Sequence, residues 1–524
     1  MALLETLLGL TAASVALALL ARALRLPSAV TLVLGGMALA FVPGLPEVEL
    51  APDLALALFL PPLLQASALR TDWPDFRANL PLILLLAVGA VLVTAGAVAA
   101  TVKPLAPELP WAAAIALGAI VAPPDAVSAT SVLKGFRLPK RIVTVLEGES
   151  LINDASSLVL YRFAVAATMA GAVSLAEASV SFLVSAAGGA AIGVAVGWAT
   201  VWLLLRLQDR MLEIVVSFLS AFASYFAAEA VHVSGVLAAV ACGGVVGRRR
   251  LELAAGTRLE ANTAWEFVEF VLTSLVFTLM GLQLRGILER LTDTDPWRLA
   301  LLAAAASTAL IVSRIAWVFA TFYPVSALMN GLRGQGFAPP LSYPAIISWA
   351  GMRGVVSLAA ALALPAEFPS RDEVVFVVFC CILTSLLLQG TTLAPLIRRF
   401  DLSDPEIEAV RPEVATARKE VAAAAVGALS DKLEDREHAE VAETLVRDFR
   451  ARVEHAERLD EDPEAAQRRL NAQLRLRLSA LGAARAKLAE LRDELDGETL
   501  ATLVEELDLE EEQVRVALRA AEPT

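Results

Sequence analysis

Apolar residues fill the first 400 positions in long blocks separated by short polar segments. About 20 consecutive apolar residues span the hydrocarbon core of a bilayer. The blocks therefore predict about thirteen membrane helices, at residues 4–21, 28–43, 51–69, 78–101, 110–133, 141–170, 173–205, 211–230, 232–247, 263–284, 299–323, 341–365 and 373–397. The longer ones imply tilt. The first block has no Lys or Arg before it, unlike a secretory signal, and reads as a membrane helix. After Phe400 the pattern changes to Ala, Glu, Arg and Leu with few Gly, which predicts two to four helices. Leu474, Leu481, Leu488 and Leu495 recur at heptad spacing, a coiled-coil signal. This segment is either a solvated helical appendage or a regulatory or dimerising element.

The loops test the helix count. If successive helices cross in alternate directions, one set of loops carries 17 Lys and Arg, among them Arg22, Arg25, Arg70, Lys134, Arg137 and Lys140. The other set carries 5: Lys103, Arg285, Arg290, Arg298 and Arg371. Basic residues accumulate in cytoplasmic loops. The N-terminus is then outside, the C-terminus cytoplasmic, and the protein a multi-pass protein of the cell membrane.

Composition agrees: 57% of residues are hydrophobic and 19% charged, against about 25% charged in soluble domains, and mean hydropathy is +0.65. The net charge of −13 belongs to one segment. Residues 401–524 hold 18 of the 43 basic and 31 of the 56 acidic residues, which leaves residues 1–400 neutral, 25 against 25. The chain divides into a membrane domain, 1–400, and an acidic helical cytoplasmic tail, 401–524. No basic face for nucleic acid is present. Cys242, Cys380 and Cys381 lie in apolar blocks without disulfide or metal spacing.

Three arginines, Arg162, Arg314 and Arg353, fall inside predicted spans, where an ionisable group costs about 2.5–3.5 kcal/mol and is usually paired and functional. The acidic residues there are Asp125, Glu149, Asp154 and, nearer the ends, Glu229, Glu266 and Glu269. In the fifth span, GAIVAPPDAVSATSVL, Pro123 and Pro124 interrupt the helix just before Asp125. Unpaired backbone at membrane depth is tolerated where it lines a cavity or is buried in protein. A break beside a carboxylate is how transporters present carbonyls and helix dipoles to an ion; a simple proline kink is the alternative. In the sixth span, VLEGESLINDASSLVL, Glu149 and Asn153 share a helix face, as do Ser150 and Asp154. These oxygens suit a hard cation. Burial disfavours the charged form of a carboxylate, so one acid can alternate between H⁺ and Na⁺ near neutral pH. The alternative is a polar patch that holds helices together.

In the twelfth span, ISWAGMRGVVSLAAAL, Gly351 and Gly354 flank Met352 and Arg353 and weaken the helix. Interruptions seven spans apart fit two inverted six-helix repeats, spans 1–6 and 8–13. Arg353 then places positive charge at the crossing point, or else snorkels to the cytoplasmic surface. Arg314, deep in the eleventh span, needs a partner. Glu149 is the first choice; Asp125 or backbone carbonyls are the others.

APPDAV, EGESLINDASSLV and WAGMRGVVSLA, in this order, resemble the NHE/NhaP-type Na⁺/H⁺ exchanger branch of the monovalent cation:proton antiporters, over about residues 5–400. The resemblance implies an all-α fold of thirteen helices in inverted repeats with crossed interrupted helices. It further implies a homodimer in which a core domain moves by elevator-like alternating access. It places the ion-binding aspartate on Asp154, a second aspartate on Asp125, a hydroxyl ligand on Ser150 and a structural ion pair on Glu149 and Arg314. An Asn153–Asp154 pair is associated in the family with electroneutral exchange. Many members have Thr-Asp-Pro at the fifth-span break; here Pro124 and Ala126 flank the aspartate, so one side-chain ligand is missing and Na⁺, K⁺ and Li⁺ are all candidate cations.

The leading expectation is an antiporter exchanging H⁺ for Na⁺ or a similar cation, with Asp154 and Asp125 as the cation ligands. The alternative is a sodium-coupled symporter of a small organic anion, which needs more hydrogen-bonding residues than these spans carry. A channel needs a filter loop or charged ring, and none is evident. No metal triad, nucleophile elbow or phosphate loop marks an enzyme, and no cofactor is implied.

Overall fold

A computed structural model describes residues 2–24, 26–43, 52–133, 136, 138–171, 175–207, 209–291, 294–333, 340–400, 412–430, 439–461, 463–491 and 497–521. Of the basic residues counted above, Arg25, Lys134 and Arg137 lie outside these. The described residues form helices joined by short connections, without a β-strand. The chain separates into two compact units, Met1–Leu402 and Ser403–Thr524.

In the first unit the helices are α1 (Ala2–Leu24), α2 (Ser28–Ala40), α3 (Pro52–Arg70), α4 (Trp73–Val102), α5 (Trp111–Val121), α6 (Ala126–Leu133), α7 (Lys140–Ala170) and α8 (Leu175–Leu204). They continue as α9 (Arg210–Glu229), α10 (Gly235–Arg249), α11 (Ala255–Glu289), α12 (Pro296–Arg333), α13 (Ser342–Trp349), α14 (Val355–Leu362) and α15 (Arg371–Phe400). Six of the described helices are long and apolar enough to cross a membrane, and three shorter helices are also apolar. Helices suit this setting because each satisfies its own backbone hydrogen bonds where no water can.

Two apolar blocks are not continuous helices. The predicted span 110–133 is α5 and α6, parted at Ala122–Asp125, and the predicted span 341–365 is α13 and α14, parted at Ala350–Gly354. Pro123 and Pro124 cause the first break by removing amide donors. The second is an extended stretch in which Gly354 has φ −138° and ψ −158°. Both breaks sit within the largest apolar core, which draws on α2, α4–α7 and α11–α15 (Leu86, Leu117, Ile142, Phe277, Ile346 and Phe379, for example).

One π-helical turn, Leu85–Gly89, widens α4, and another, Ser385–Gln389, widens α15. Such turns free backbone carbonyls and are frequent at functional sites. In α4 the carbonyls of Leu85 and Ala87 accept from Trp317 Nε1 (3.0 Å) and Ser156 Oγ (2.6 Å).

The second unit contains α16 (Pro412–Ser430), α17 (Ala439–Glu461), α18 (Pro463–Glu490) and α19 (Gly497–Ala521). The heptad leucines Leu474 and Leu481 of α18 pack with Val514, Leu507 and Leu518 of α19. Their spacing thus serves an intrachain helix pair; Leu495 lies outside the described residues.

Candidate ion-binding site at the crossed breaks

The two breaks touch. The Asp125 amide donates to the Met352 carbonyl at 2.7 Å. Each helix half leaves unpaired backbone groups at its end, and the charged residues meet them. Asp125 stands at the N-terminus of α6, where its Oδ2 accepts from the Ser128 amide at 3.1 Å and from the Ser128 hydroxyl. This is the bond of a helix N-cap, and the negative charge suits the positive end of the helix dipole. Arg353 does the converse. Its Nε donates to Val121 O, the last carbonyl of α5, at 2.7 Å, and Nη1 donates to Gly351 O. Its own amide is held by Ser385 Oγ in the π-turn of α15 at 3.0 Å. Arg353 is 1% exposed, so it occupies the crossing point and does not snorkel.

The glycines of the second break admit these side chains. A methyl group at Gly351 would collide with the Arg314 guanidinium, and one at Gly354 with the Asp125 carboxyl. Arg314 and Glu149, 1% exposed each, form a two-pronged pair: Nη1–Oε1 is 2.6 Å and Nη2–Oε2 is 3.0 Å. Arg314 also donates to Ser348 O at 3.2 Å and Ile347 O at 3.1 Å, in the last turn of α13. Both partner types considered from sequence, Glu149 and backbone carbonyls, are therefore used at once. One guanidinium ties α7 and α12 to the end of a broken helix.

A cavity of about 10 Å³ lies at the break, lined by Pro124, Asp125, Thr130, Glu149, Ser150 and Ala350. That is near the lower limit for one water-sized occupant. Asn153 leans on the same loop: its Nδ2 donates to Pro124 O at 3.2 Å, while its buried Oδ1 accepts from no group among the described residues. Asp154 is 6% exposed, one helical turn past Ser150. It does not line this cavity, and no donor among the described residues reaches its carboxylate. Among the described residues no three His, Cys, Asp or Glu side chains cluster as a metal site. Besides Glu149, which is tied to Arg314, the cavity presents the Asp125 carboxylate and the Ser150 hydroxyl, with the Asn153 amide against the same loop. That set suits a transient hard cation.

Sequence reasoning missed Ser128 and Ser385. The first was legible as an Asp-x-x-Ser capping spacing, whereas the second carried no local signal. Arg162, unassigned from sequence, lies at 3.6 Å from Glu229 of α9 on an exposed edge.

Residues 9–399 match the family model described as "Sodium/hydrogen exchanger, transmembrane". The chain is 33% identical to an uncharacterized Na(+)/H(+) exchanger of Mycobacterium tuberculosis, Rv2287, over 98% of this chain and 96% of that protein. It is 33% identical to the Escherichia coli exchanger YjcE over 88% of this chain and 89% of that protein. To a "Sodium, potassium, lithium and rubidium/H(+) antiporter" of Bacillus pumilus it is 30% identical, over 88% and 70%. In fold it matches the sodium proton antiporter MjNhaP1 of Methanocaldococcus jannaschii with a TM-score of 0.59 and 16% identity, over 77% of this chain and 100% of that one. These matches favour proton exchange over sodium-coupled symport. With helices that are apolar enough to cross a bilayer and two broken helices meeting at buried charges, the chain belongs to the sodium/hydrogen exchanger family of multi-pass membrane transporters.

Proposed function

We propose that this protein exchanges H⁺ for a monovalent cation through the crossed breaks, with Asp154 as the group that carries one or the other. The observation that carries the reading is the contact between the breaks: the Asp125 amide bonds Met352, Asn153 bonds the Pro124 carbonyl of the first break, and Asp154, next to Asn153 and one turn past Ser150, is buried with no hydrogen-bond donor among the described residues. A desolvated carboxylate must be neutralised by a proton or a metal ion. Either ligand leaves the same net charge, so exchange through a single acid is one for one and electroneutral. Asp125, already held by Ser128, lines the entry; the buried Asn153 Oδ1 supplies an oxygen. Arg353 and the Glu149–Arg314 pair hold the helix ends in place while the charge on Asp154 changes.

Thirteen crossings arranged as two inverted six-helix repeats fit the two broken helices. The loop asymmetry supports an external N-terminus and a cytoplasmic C-terminal unit. A homodimer with a moving core, which the resemblance to the family implies, completes the proposal. Na⁺ is the first cation to test. K⁺ and Li⁺ follow, because Pro124 supplies no side-chain oxygen and a relative is named for four alkali cations. In proteoliposomes with an imposed pH gradient and a pH-sensitive dye, adding Na⁺, Li⁺ or K⁺ should collapse the gradient without any organic solute. Cation-driven current without proton movement would defeat the proposal.

A further inference from the structure

A second cavity, of about 190 Å³, opens among the ends of α3, α8, α9, α10 and α11, and none of its lining comes from the broken helices. Its floor is buried and polar. Glu213 is 6% and Thr257 2% exposed, and Glu213 Oε2 and Thr257 Oγ1 have no hydrogen-bond partner among the described residues. Trp265 beside them is committed to Ser217 Oγ at 3.3 Å. The rim is basic. Arg70 pairs with Glu269 at 2.5 Å. Arg258 is pinned by the carbonyls of Leu251 and Leu253 (3.2 and 2.7 Å), and no carboxylate among the described residues pairs with Arg250 or Arg258.

A buried carboxyl oxygen and hydroxyl without partners are costly to leave so. They call for N–H donors, and the rim calls for an anion. A bare cation leaves the rim unanswered, and a bare anion leaves the floor unanswered. One small group has both charges at adjacent positions: a primary ammonium with three donors, two carbons from a phosphate. The residues next in sequence to the rim and wall, Leu205, Leu251 and Leu259, are exposed apolar side chains, a surface that acyl chains would cover.

We propose that this cavity binds a phosphoethanolamine headgroup, with the ammonium on Glu213 and Thr257 and the phosphate against Arg250 and Arg258. The proposal is independent of the exchange mechanism above. It is tested by native mass spectrometry on the full chain in detergent, titrated with phosphatidylethanolamine, phosphatidylcholine or phosphatidylglycerol of identical acyl chains. Phosphatidylethanolamine should bind about tenfold more tightly than phosphatidylcholine, whose nitrogen has no N–H to donate. Phosphatidylglycerol, with no amine, should resemble phosphatidylcholine. Glu213→Gln should bring the ratio close to one; if that variant does not fold, Thr257→Ala should lower it. Free O-phosphoethanolamine that displaces the lipid identifies a soluble ligand for the site, and failure to displace identifies a lipid. Equal binding of the ethanolamine and choline lipids, or a preference that survives both substitutions, overturns the assignment.

Discussion

Consider removing Arg314. Its guanidinium makes four hydrogen bonds, two to Glu149 and two to the carbonyls of Ile347 and Ser348. Arg314→Ala strands a carboxylate that is 1% exposed and uncaps the end of α13. Leaving one member of a buried pair uncompensated costs about 3–5 kcal/mol. Glu149→Ala strands the arginine, but the two α13 carbonyls still receive it, so its cost should fall at the lower end of that range. Removing both leaves no orphaned charge. The double variant should therefore be more stable than Arg314→Ala alone, so the two single effects should over-count the double by more than the Glu149→Ala cost, about 3 kcal/mol or more. Arg314→Lys should rescue only part, because an ammonium cannot reproduce a two-pronged bond. Unfolding of the detergent-solubilised protein in increasing SDS, followed by the fluorescence of its 8 tryptophans, measures all four proteins. Single effects that add to within about 0.5 kcal/mol would refute the coupling.

Gly354→Ala places a methyl group on the Asp125 carboxyl; exchange should fall at least about tenfold while the protein still inserts, since about 1.4 kcal/mol at the site is enough. Normal exchange by this variant in proteoliposomes would show that the breaks need not touch. Ser128→Ala removes a hydroxyl donor from Asp125 and should cost about 1 kcal/mol of stability, with a shifted cation KM; an unchanged KM would take Asp125 out of the pathway. Lys140 lies 2.6 Å from both Asp72 and Asp75 at one membrane face, and its hydrogen bond holds the Asp72 carboxyl below its usual range. A depressed carboxylate stabilises the fold above its unfolded value and loses that contribution as pH falls through its folded value. Lys140→Met should therefore be slightly less stable than wild type at pH 7, by at most about 1 kcal/mol for so exposed a pair. That gap should close below about pH 4; a gap that widens in acid would reverse the sign.

Much of the site was legible because it is written in local rules. Two adjacent prolines next to a carboxylate in an apolar run mark a broken helix, whereas Pro61 and Pro62, with no charge beside them, are carried inside α3; Glu149 and Asn153, like Ser150 and Asp154, advertise shared faces by four-residue spacing. Buried charge was also readable: an arginine as deep as Arg314 demands a partner, and the number of candidates is small. The limits were set by three-dimensional proximity. Arg353 could equally have snorkelled until the carbonyls of Val121 and Gly351 appeared around it. Ser385 sits 32 residues from the amide it holds, a distance no periodicity encodes. The heptad leucines announced a helix pair without naming the partner, which proved to be α19 of the same chain. Glu213 is a first-turn acid of α9, a position with no sequence signal of its own, and only the burial of an oxygen without a partner among the described residues sets it apart.

The central claim is that one dry carboxylate trades a proton for a metal ion. Asp154→Asn keeps the size and polarity of the side chain and removes its charge. Reconstituted beside wild type and assayed with a pH dye under an imposed gradient, the folded variant should show no cation-driven proton movement with Na⁺, Li⁺ or K⁺. Exchange that persists at a substantial fraction of the wild-type rate would mean that the proton and the cation are carried elsewhere.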